Sequence, residues 1–228
     1  MIIQTSAIVL KSFPYGDTSL IARCFTLEKG KMSFIIKGAR SKKSGSAALF
    51  QPMSHIELIF NYKESRNLHI ISKRSFIETW PNIQNDLKRI SFALSIIEMT
   101  DKTLSDEDPH SGLFKVLCDV FRAFNKEKNN LNTLFWYYEL ALLSHLGFQP
   151  DLDQRELPGL MLPDPNDGPK SRTILELLMR EEIASIEDIE VLPKDNQVIS
   201  DYIRAHLFYH FDTLGQLKSL DVLKQILL

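Results

Sequence analysis

Four cations fall within seven residues in Lys37-Gly38-Ala39-Arg40-Ser41-Lys42-Lys43. Ammonium and guanidinium groups at that density can neutralise successive phosphates of a polyanion, a sequence-independent attraction that weakens with salt. Gly38 lets the backbone bend between them, and Gly45-Ser46-Ala47-Ala48 continues as a small, flexible loop. Phe13 and Tyr15, close to Lys11, are candidates for stacking on unpaired bases, a contact worth about 1–3 kcal/mol per base. Arg23 and Lys31 extend the set of phosphate candidates. Other chemistry is poorly supported. His206 and His210 stand at i and i+4, the spacing of two metal ligands on one helix face, but Asp212 is a weak third ligand and zinc needs at least three. There is no Cys-x-x-Cys pair, phosphate-cradling Gly-x-x-x-x-Gly-Lys-Ser/Thr loop, dinucleotide Gly-x-Gly-x-x-Gly or Gly-x-Ser-x-Gly elbow. Glu181-Glu182 and Glu187-Asp188 read as solvated helix ends.

The elements that carry the basic loop read as short strands. Residues 1–80 hold twelve basic and five acidic residues, whereas the remainder holds fifteen basic and twenty-four acidic ones, so a net charge of -2 conceals a basic first third. Ile3 to Leu10 is β-rich, and Phe13-Pro14-Tyr15-Gly16-Asp17 supplies turn chemistry. Leu20 to Thr26 is a second strand, Lys31 to Lys37 alternates with Met32, Phe34 and Ile36 on one face, Ile56, Leu58 and Phe60 alternate again, and Leu68 to Ile77 is the last run. Five strands in so short a span leave edges unless they close, which predicts a five-stranded OB-type barrel. Such barrels bind single strands on the face of their second and third strands.

After Pro81 the period changes from 2 to 3.6. Ile83, Leu87, Ile90, Leu94 and Ile97 predict one helix face; Leu113, Leu117, Val120, Phe121 and Phe124 a second; Leu131, Leu134, Phe135, Tyr138, Leu142 and Leu146 a third, ending at Gly147. The aromatics Phe135, Trp136, Tyr137 and Tyr138 read as packing. Residues 148–170 contain five of the ten prolines and predict a long loop or small irregular subdomain. Thr173 and Glu176 have capping-box spacing, Val198, Ile199, Tyr202, Leu207 and Tyr209 mark a further helix, and residues 217–223 a last short one. The class expected is α+β, with an all-β barrel over 1–80 and a helical domain over 81–228. No run of 18 apolar residues or signal-peptide pattern is present, so the expectation is a cytoplasmic protein with Cys24 and Cys118 as buried free thiols.

Tyr15-Gly16-Asp17-Thr18-Ser19, Thr26-x-Glu28-x-Gly30-Lys31, Lys37-Gly38-Ala39-Arg40, Ser44 and Leu49-x-Gln51-Pro52 resemble the N-terminal signature of bacterial RecO recombination-repair proteins. Leu146-Gly147-Phe148-x-Pro150-x-Leu152 and Leu217-Lys218-Ser219 are similar to that family's later pattern. The resemblance implies an OB-fold, a helical second domain and a non-enzymatic, nucleoid-associated role. It implies binding of single- and double-stranded DNA, strand annealing, contact with the C-terminal tail of single-stranded DNA-binding protein, and cooperation with RecR in loading RecA. The tail is acidic and apolar, so its site is expected to be a hydrophobic groove with a basic rim on the helical half. Many relatives carry a four-cysteine zinc site whose first pair, Cys-x-x-Cys-Gly, follows the Leu-Gly-Phe motif. Here that place reads Arg155-Glu156-Leu157-Pro158-Gly159, so no zinc is expected and the loop is held by packing or left partly mobile. A rival reading is a protein-protein adaptor with little DNA binding of its own. A nuclease would need clustered carboxylates, but the acids of the basic part, Asp17, Glu28, Glu57, Glu64 and Glu78, are scattered.

Overall fold

The structure, a computed structural model, describes residues 1–41, 45–126, 131–180, 183 and 189–216. Lys42, Lys43, both acidic pairs and the expected terminal helix at 217–223 lie outside the described residues. Strands β1 (Ile2–Tyr15), β2 (Ser19–Thr26), β3 (Gly30–Ile36), β4 (His55–Asn61) and β5 (His69–Glu78) close a barrel in the order β1-β2-β3-β5-β4. Neighbours are antiparallel except β3 and β5, which pair in parallel through Phe34↔His69 and Ile35↔Ile70. Alternation sends Ile3, Ala7, Val9, Ala22, Cys24 and Phe34 into the barrel, and Phe50, from a short 3-10 turn at Ser46–Phe50, packs with them. Cys24 and Cys118 are buried and free.

The first strand departs from expectation. It does not stop at Leu10 but runs through Phe13 and Pro14 to Tyr15, leaving only residues 16–18 as the turn. Proline is tolerated because on its β4 side β1 is paired only as far as Val9, whose N–H donates to the Ser54 carbonyl and whose carbonyl accepts from Met53 N–H, and β4 does not flank the strand beyond it. Between Val9↔Cys24 and Lys11↔Arg23 the register shifts by one residue, leaving Leu10 as a bulge. A bulge re-aims the side chains that follow it. Odd-numbered residues before it (Ile3, Ala7, Val9) are interior, whereas Lys11, Phe13 and Tyr15 after it are exposed.

The helical part comprises α1 (Pro81–Gln84), α2 (Leu87–Thr103), α3 (Ser111–Lys126), α4 (Leu131–His145), α5 (Ser171–Leu178) and α6 (Pro193–His210). The apolar stripes expected for α3 and α4 are buried except Leu146, which is half-buried just beyond the end of α4, and Phe135, Trp136, Tyr137 and Tyr138 are buried too. After α4, Gly147 takes φ +84° while Phe148 N–H donates to the Leu143 carbonyl at 2.8 Å. The stripe expected from Ile83 to Ile97 is corrected. Asn85 and Asp86 break the run, Asp86 accepts from Arg89 N–H at 2.9 Å as a fresh N-cap, and α2 buries Phe92, Ala93, Ile96 and Met99 while Leu87 and Leu94 are exposed. The capping box at Thr173 and Glu176 is also absent, because α5 begins at Ser171 and Glu176 instead receives Arg172 Nε one turn away at 2.9 Å. Within 148–170 lies a two-residue hairpin, β6 (Glu156–Leu157) with β7 (Leu160–Met161).

Ile8, Leu10 and Phe25 of the barrel, with Met53 and Trp80, belong to the same buried cluster as the helices. Phe25 meets Phe114 edge to face at 5.4 Å. Beside this seam Ser6 Oγ bonds His55 Nε2 at 2.7 Å, His55 Nδ1 approaches Glu78 at 3.1 Å, and Arg122 of α3 donates to both Glu78 oxygens. The order hydroxyl, imidazole, carboxylate is that of a hydrolase triad, but His55 lies parallel to Trp80, nearly fully buried, and its carboxylate is shared with Arg122. The array ties β1, β4, β5 and α3 together. The α2–α3 connection docks beside the β2–β3 turn: Glu107 N–H donates to the Lys31 carbonyl at 2.9 Å and Tyr62 OH to Glu107 at 2.8 Å.

Gly30 sits under that connection at φ +65°, where a Cβ would lie 2.1 Å from the Asp108 carbonyl oxygen. Gly30→Ala is therefore expected to lower unfolding stability by about 2 kcal/mol or more, strain and clash combined. Gly16→Ala, at φ +56° with nothing within 4 Å, should cost only the backbone strain. Urea denaturation of both variants checks the difference; equal losses would mean that the close approach at Gly30 is not formed.

Candidate nucleic-acid interface

Residues paired across neighbouring strands share a face of the sheet, so the pairings define the outside of β1, β2, β3 and β5 row by row. The central row is Phe13↔Ile21↔Ile35↔Ile70, crossing four strands. Phe13 and Ile70 are exposed and Ile21 and Ile35 half-buried, so the row is an apolar strip open to solvent. Toward one barrel end the next row is Tyr15↔Ser19, with Lys37 one residue beyond Ile36 at that same end. Toward the other end the row is Lys11↔Arg23↔Ser33. Rows two residues apart are separated by about 6.6–6.8 Å. An apolar strip is thus bracketed on both sides by cations.

The structure brings four of the expected residues together. Arg40 N–H donates to the Thr18 carbonyl at 2.8 Å and its guanidinium to the Gly16 carbonyl at 3.1 Å, pinning the start of the basic loop against the β1–β2 turn beside Tyr15. Lys37 and Tyr15 are exposed there, and Phe13 stands one row away. Lys42 and Lys43 lie outside the described residues.

Arg23 and Lys31 are placed differently from expectation. Lys31 is 7% exposed, and its ammonium donates to the Asp101 carbonyl at 2.7 Å with Asp106 at 3.6 Å, so it serves the seam between barrel and helices. Arg23 does lie in an outward row, but its guanidinium meets the Asp101 carboxylate at 3.1 Å. Lys11 reaches the other oxygen of that carboxylate at 2.7 Å. Burial opposes the charge on Asp101, yet the hydrogen bonds from Lys11 and Arg23 outweigh it and hold the carboxyl below its ordinary range. The isoleucines of the strip carry no signal that sequence alone could single out; only strand register reveals them. Lys63 and Arg66, exposed in the β4–β5 connection, add cations near the start of β5.

The helical part holds two further groups of note. His206 and His210 do share a face, but as stacked rings 6.2 Å apart, with Phe148 lying 4.3 Å from His210 and Tyr202 4.8 Å from His206. Among the described residues no group of three or more His, Cys, Asp or Glu is placed to hold a metal ion. His206 is 2% exposed with neither ring nitrogen hydrogen-bonded, and burial pushes its pKa down to about 4. Glu139, on α4, is buried and pushed up to about 8, with Arg204 acting against the shift. In the β6–β7 region, the places of the family's first cysteine pair are taken by Arg155 and Pro158, which do not fit a zinc ion. Arg155 pairs with Asp164, and its carbonyl accepts from Leu162 N–H at 3.0 Å. Asp164 is drawn down to about 2 by the Asn166 backbone N–H first, then by Arg155.

A closed barrel with this strand order and an open outward face, followed by helices packed on its flank, defines an OB-type module joined to a helical domain. Residues 1–80 match the family described as Recombination protein O N terminal, and residues 84–221 that described as Recombination protein O C terminal. The chain is 31% identical to the DNA repair protein RecO of Salinibacter ruber over 99% of its length and 94% of that protein. It is 24% identical to RecO of Prosthecochloris aestuarii over 99% and 98% of the two chains, and 30% identical to RecO of Chlorobium limicola over 68% and 59%. The chain belongs to the bacterial RecO family of DNA repair proteins, and its broad role is DNA repair and recombination. No helix among the described residues is long and apolar enough to cross a membrane.

Two measurements follow from the buried groups and the altered hairpin. Burial holds the pKa of His206 down to about 4 in the fold against about 6.5 in an unfolded chain, so stability is lost as pH falls through that interval, where the unfolded chain takes up the proton and the buried imidazole does not. Glu139, raised to about 8 from about 4.3, contributes fully only below the lower value and is lost as pH rises to the upper one. The two effects oppose each other between about pH 4.3 and 6.5, and Glu139 acts alone from about 6.5 to 8. Denaturation across pH should show Glu139→Gln removing a decline on the alkaline side, and His206→Asn making stability climb as pH falls below about 6.5. Variants that parallel the parent would contradict the burial of these groups. Added zinc or a chelator should leave the melting temperature unchanged, whereas a zinc-dependent rise would show a site formed by other ligands.

Proposed function

We propose that the chain is a non-enzymatic repair and recombination mediator that holds single-stranded DNA along the outward face of β1, β2, β3 and β5, anneals complementary strands, and also engages duplex DNA through backbone charge. The observation that carries this reading is the apolar row Phe13–Ile21–Ile35–Ile70 with Lys37 and Arg40 at one side and Lys11 and Arg23 at the other. Bases can lie on the strip while their phosphates meet the flanking cations. The face is open, so bases resting on it keep their pairing edges accessible to a second strand, which annealing requires. Further steps rest on the family resemblance: association with RecR, displacement of single-stranded DNA-binding protein and loading of RecA.

The adaptor reading has its own supporting feature. A groove of about 470 Å³ beside α6 is lined by Gly159, Leu160, Ala205, Phe208 and Tyr209 together with Asp201 and Arg204, whose side chains pair at 3.4 Å. Its apolar lining suits the apolar part of the C-terminal tail of single-stranded DNA-binding protein, with Arg204 as the one cation among these residues for the tail's acidic groups once it exchanges Asp201, and both roles can coexist on one chain.

Fluorescence-detected annealing of complementary oligonucleotides over a salt series tests the proposal. The parent protein should anneal, less so as salt rises. Lys37→Gln with Arg40→Gln should flatten the salt dependence of single-strand affinity by about 1.4 in log–log slope, two phosphates at about 0.7 each. Phe13→Ala should weaken binding by about 1–3 kcal/mol with the slope unchanged. Absence of annealing at low salt, with the slope insensitive to Lys37 and Arg40, would shift the function to the adaptor.

A further inference from the structure

The Lys11–Arg23 row differs from the Lys37–Arg40 end in one respect: a carboxylate already occupies it. Asp101, near the C-terminal end of α2, places one oxygen 2.7 Å from Lys11 Nζ and the other 3.1 Å from the Arg23 guanidinium. Two cations converging on the two oxygens of one anion is also how a phosphate is held. The row abuts the apolar strip, two residues along β1 from Phe13 and two along β2 from Ile21. The side chains of Lys11 and Arg23 are 46% and 32% exposed, so a ligand can reach them.

We propose that Asp101 is an internal occupant of a phosphate site, displaced when a DNA backbone phosphate binds Lys11 and Arg23. The proposal rests on the assignment of this barrel face to single-stranded DNA. Exchange leaves each cation with an anionic partner, and Asp101 moves toward water. The exchange does not require the helical domain to come away from the barrel. Partly exposed ion pairs contribute at most about 1 kcal/mol each, whereas each of the buried side chains Ile8, Leu10 and Phe25 contributes about 1.5–3 kcal/mol. Lys31 holds the Asp101 backbone carbonyl and not its carboxylate, so α2 stays attached to the barrel while its last turn loses the ties made through the side chain. Asp101 thereby limits how far along β1 and β2 the charged track extends in the free protein, and it links DNA occupancy to the local freedom of the last turn of α2.

The test is Asp101→Asn, which keeps the shape and removes the charge, measured with an oligothymidylate across a salt series. Affinity at low salt should rise about three- to ten-fold with the salt slope essentially unchanged, because the same phosphates are neutralised in both complexes. Adding Lys11→Gln and Arg23→Gln to Asp101→Asn should abolish the gain and flatten the slope by about 0.7–1.4, the value of one to two phosphates. In the parent protein, amide exchange at Thr100–Leu104 should increase when the oligonucleotide binds. Unchanged affinity in Asp101→Asn, a salt slope steeper than the parent's (which would mean that DNA does not displace Asp101 in the parent), or amide exchange there that is unchanged or slowed by DNA overturns the proposal and leaves Asp101 as a latch only. If Asp101→Asn melts too early to assay, the exchange measurement on the parent decides. Should Lys37→Gln with Arg40→Gln also fail to flatten the slope, the assignment of the whole face is wrong; should it flatten the slope while Asp101→Asn does nothing, only the role of Asp101 is.

Discussion

The bulge at Leu10 is the constraint on which the candidate interface depends. Strand alternation has a period of two, so a single extra residue reverses every side chain that follows. Without it Lys11, Phe13 and Tyr15 would continue the interior set of Ile3, Ala7 and Val9, placing a lysine and two aromatics inside a barrel already filled by Phe34, Phe50 and Phe60. With it, the first half of β1 builds the barrel core and the second half presents the outward rows. Leu10 itself is 2% exposed and lies among the helices together with Ile8 and Phe25. Docking of the helical domain therefore stabilises the residue that breaks the register, and the orientation of the outer face depends on a contact made with the helices and not within the barrel.

The cations of the barrel divide by what surrounds them. Lys31, nearly enclosed, is satisfied by the Asp101 carbonyl and by Asp106, and removing it from water would be costly without those partners. Arg122 clamps Glu78, which keeps that carboxylate below its usual range through the direct hydrogen bonds despite partial burial. Lys11 and Arg23 are intermediate, ion-paired yet accessible, and Lys37 and Arg40 have no ion-pair partner among the described residues. Structural cations are those whose desolvation has been compensated. Those still in water remain available to an external anion.

This division explains how much of the molecule was legible in its sequence. The strand and helix stripes follow from periods of 2 and 3.6, and those of β3, β4, α3 and, up to its end at His145, α4 match the buried faces because each element is regular over that span. The α2 stripe failed because Asn85 and Asp86 restart the helix, and a restart resets the phase that the counting of threes and fours assumes. The spacing of Thr173 and Glu176 failed because Ser171 already opens the helix, its hydroxyl donating to the Pro165 carbonyl at 2.6 Å. Charge is visible in a sequence but a partner is not, so Lys31 and Arg23 read like Lys37 and Arg40 although Asp101 and Asp106, some 70 residues away, engage them. Ile21, Ile35 and Ile70 look like ordinary strand residues until register aligns them in one row.

The composition of that row bears on the kind of binding it supports. Aromatic stacking contributes about 1–3 kcal/mol per base, and the strip offers one aromatic, Phe13, among three isoleucines, with Tyr15 one row beyond. Aliphatic side chains shield a base from water but lack the flat face that would hold it in register. On the reading proposed above, phosphate contacts then supply the larger share of the affinity, and they are indifferent to sequence and to which strand carries them. A surface that grips backbones firmly and bases loosely allows a bound strand to slide and to test partners before it pairs. A face lined with aromatics would hold each base longer and oppose its transfer to a complementary strand. On that same reading, the scarcity of aromatics beside the cations is a property that favours annealing over storage of single strands.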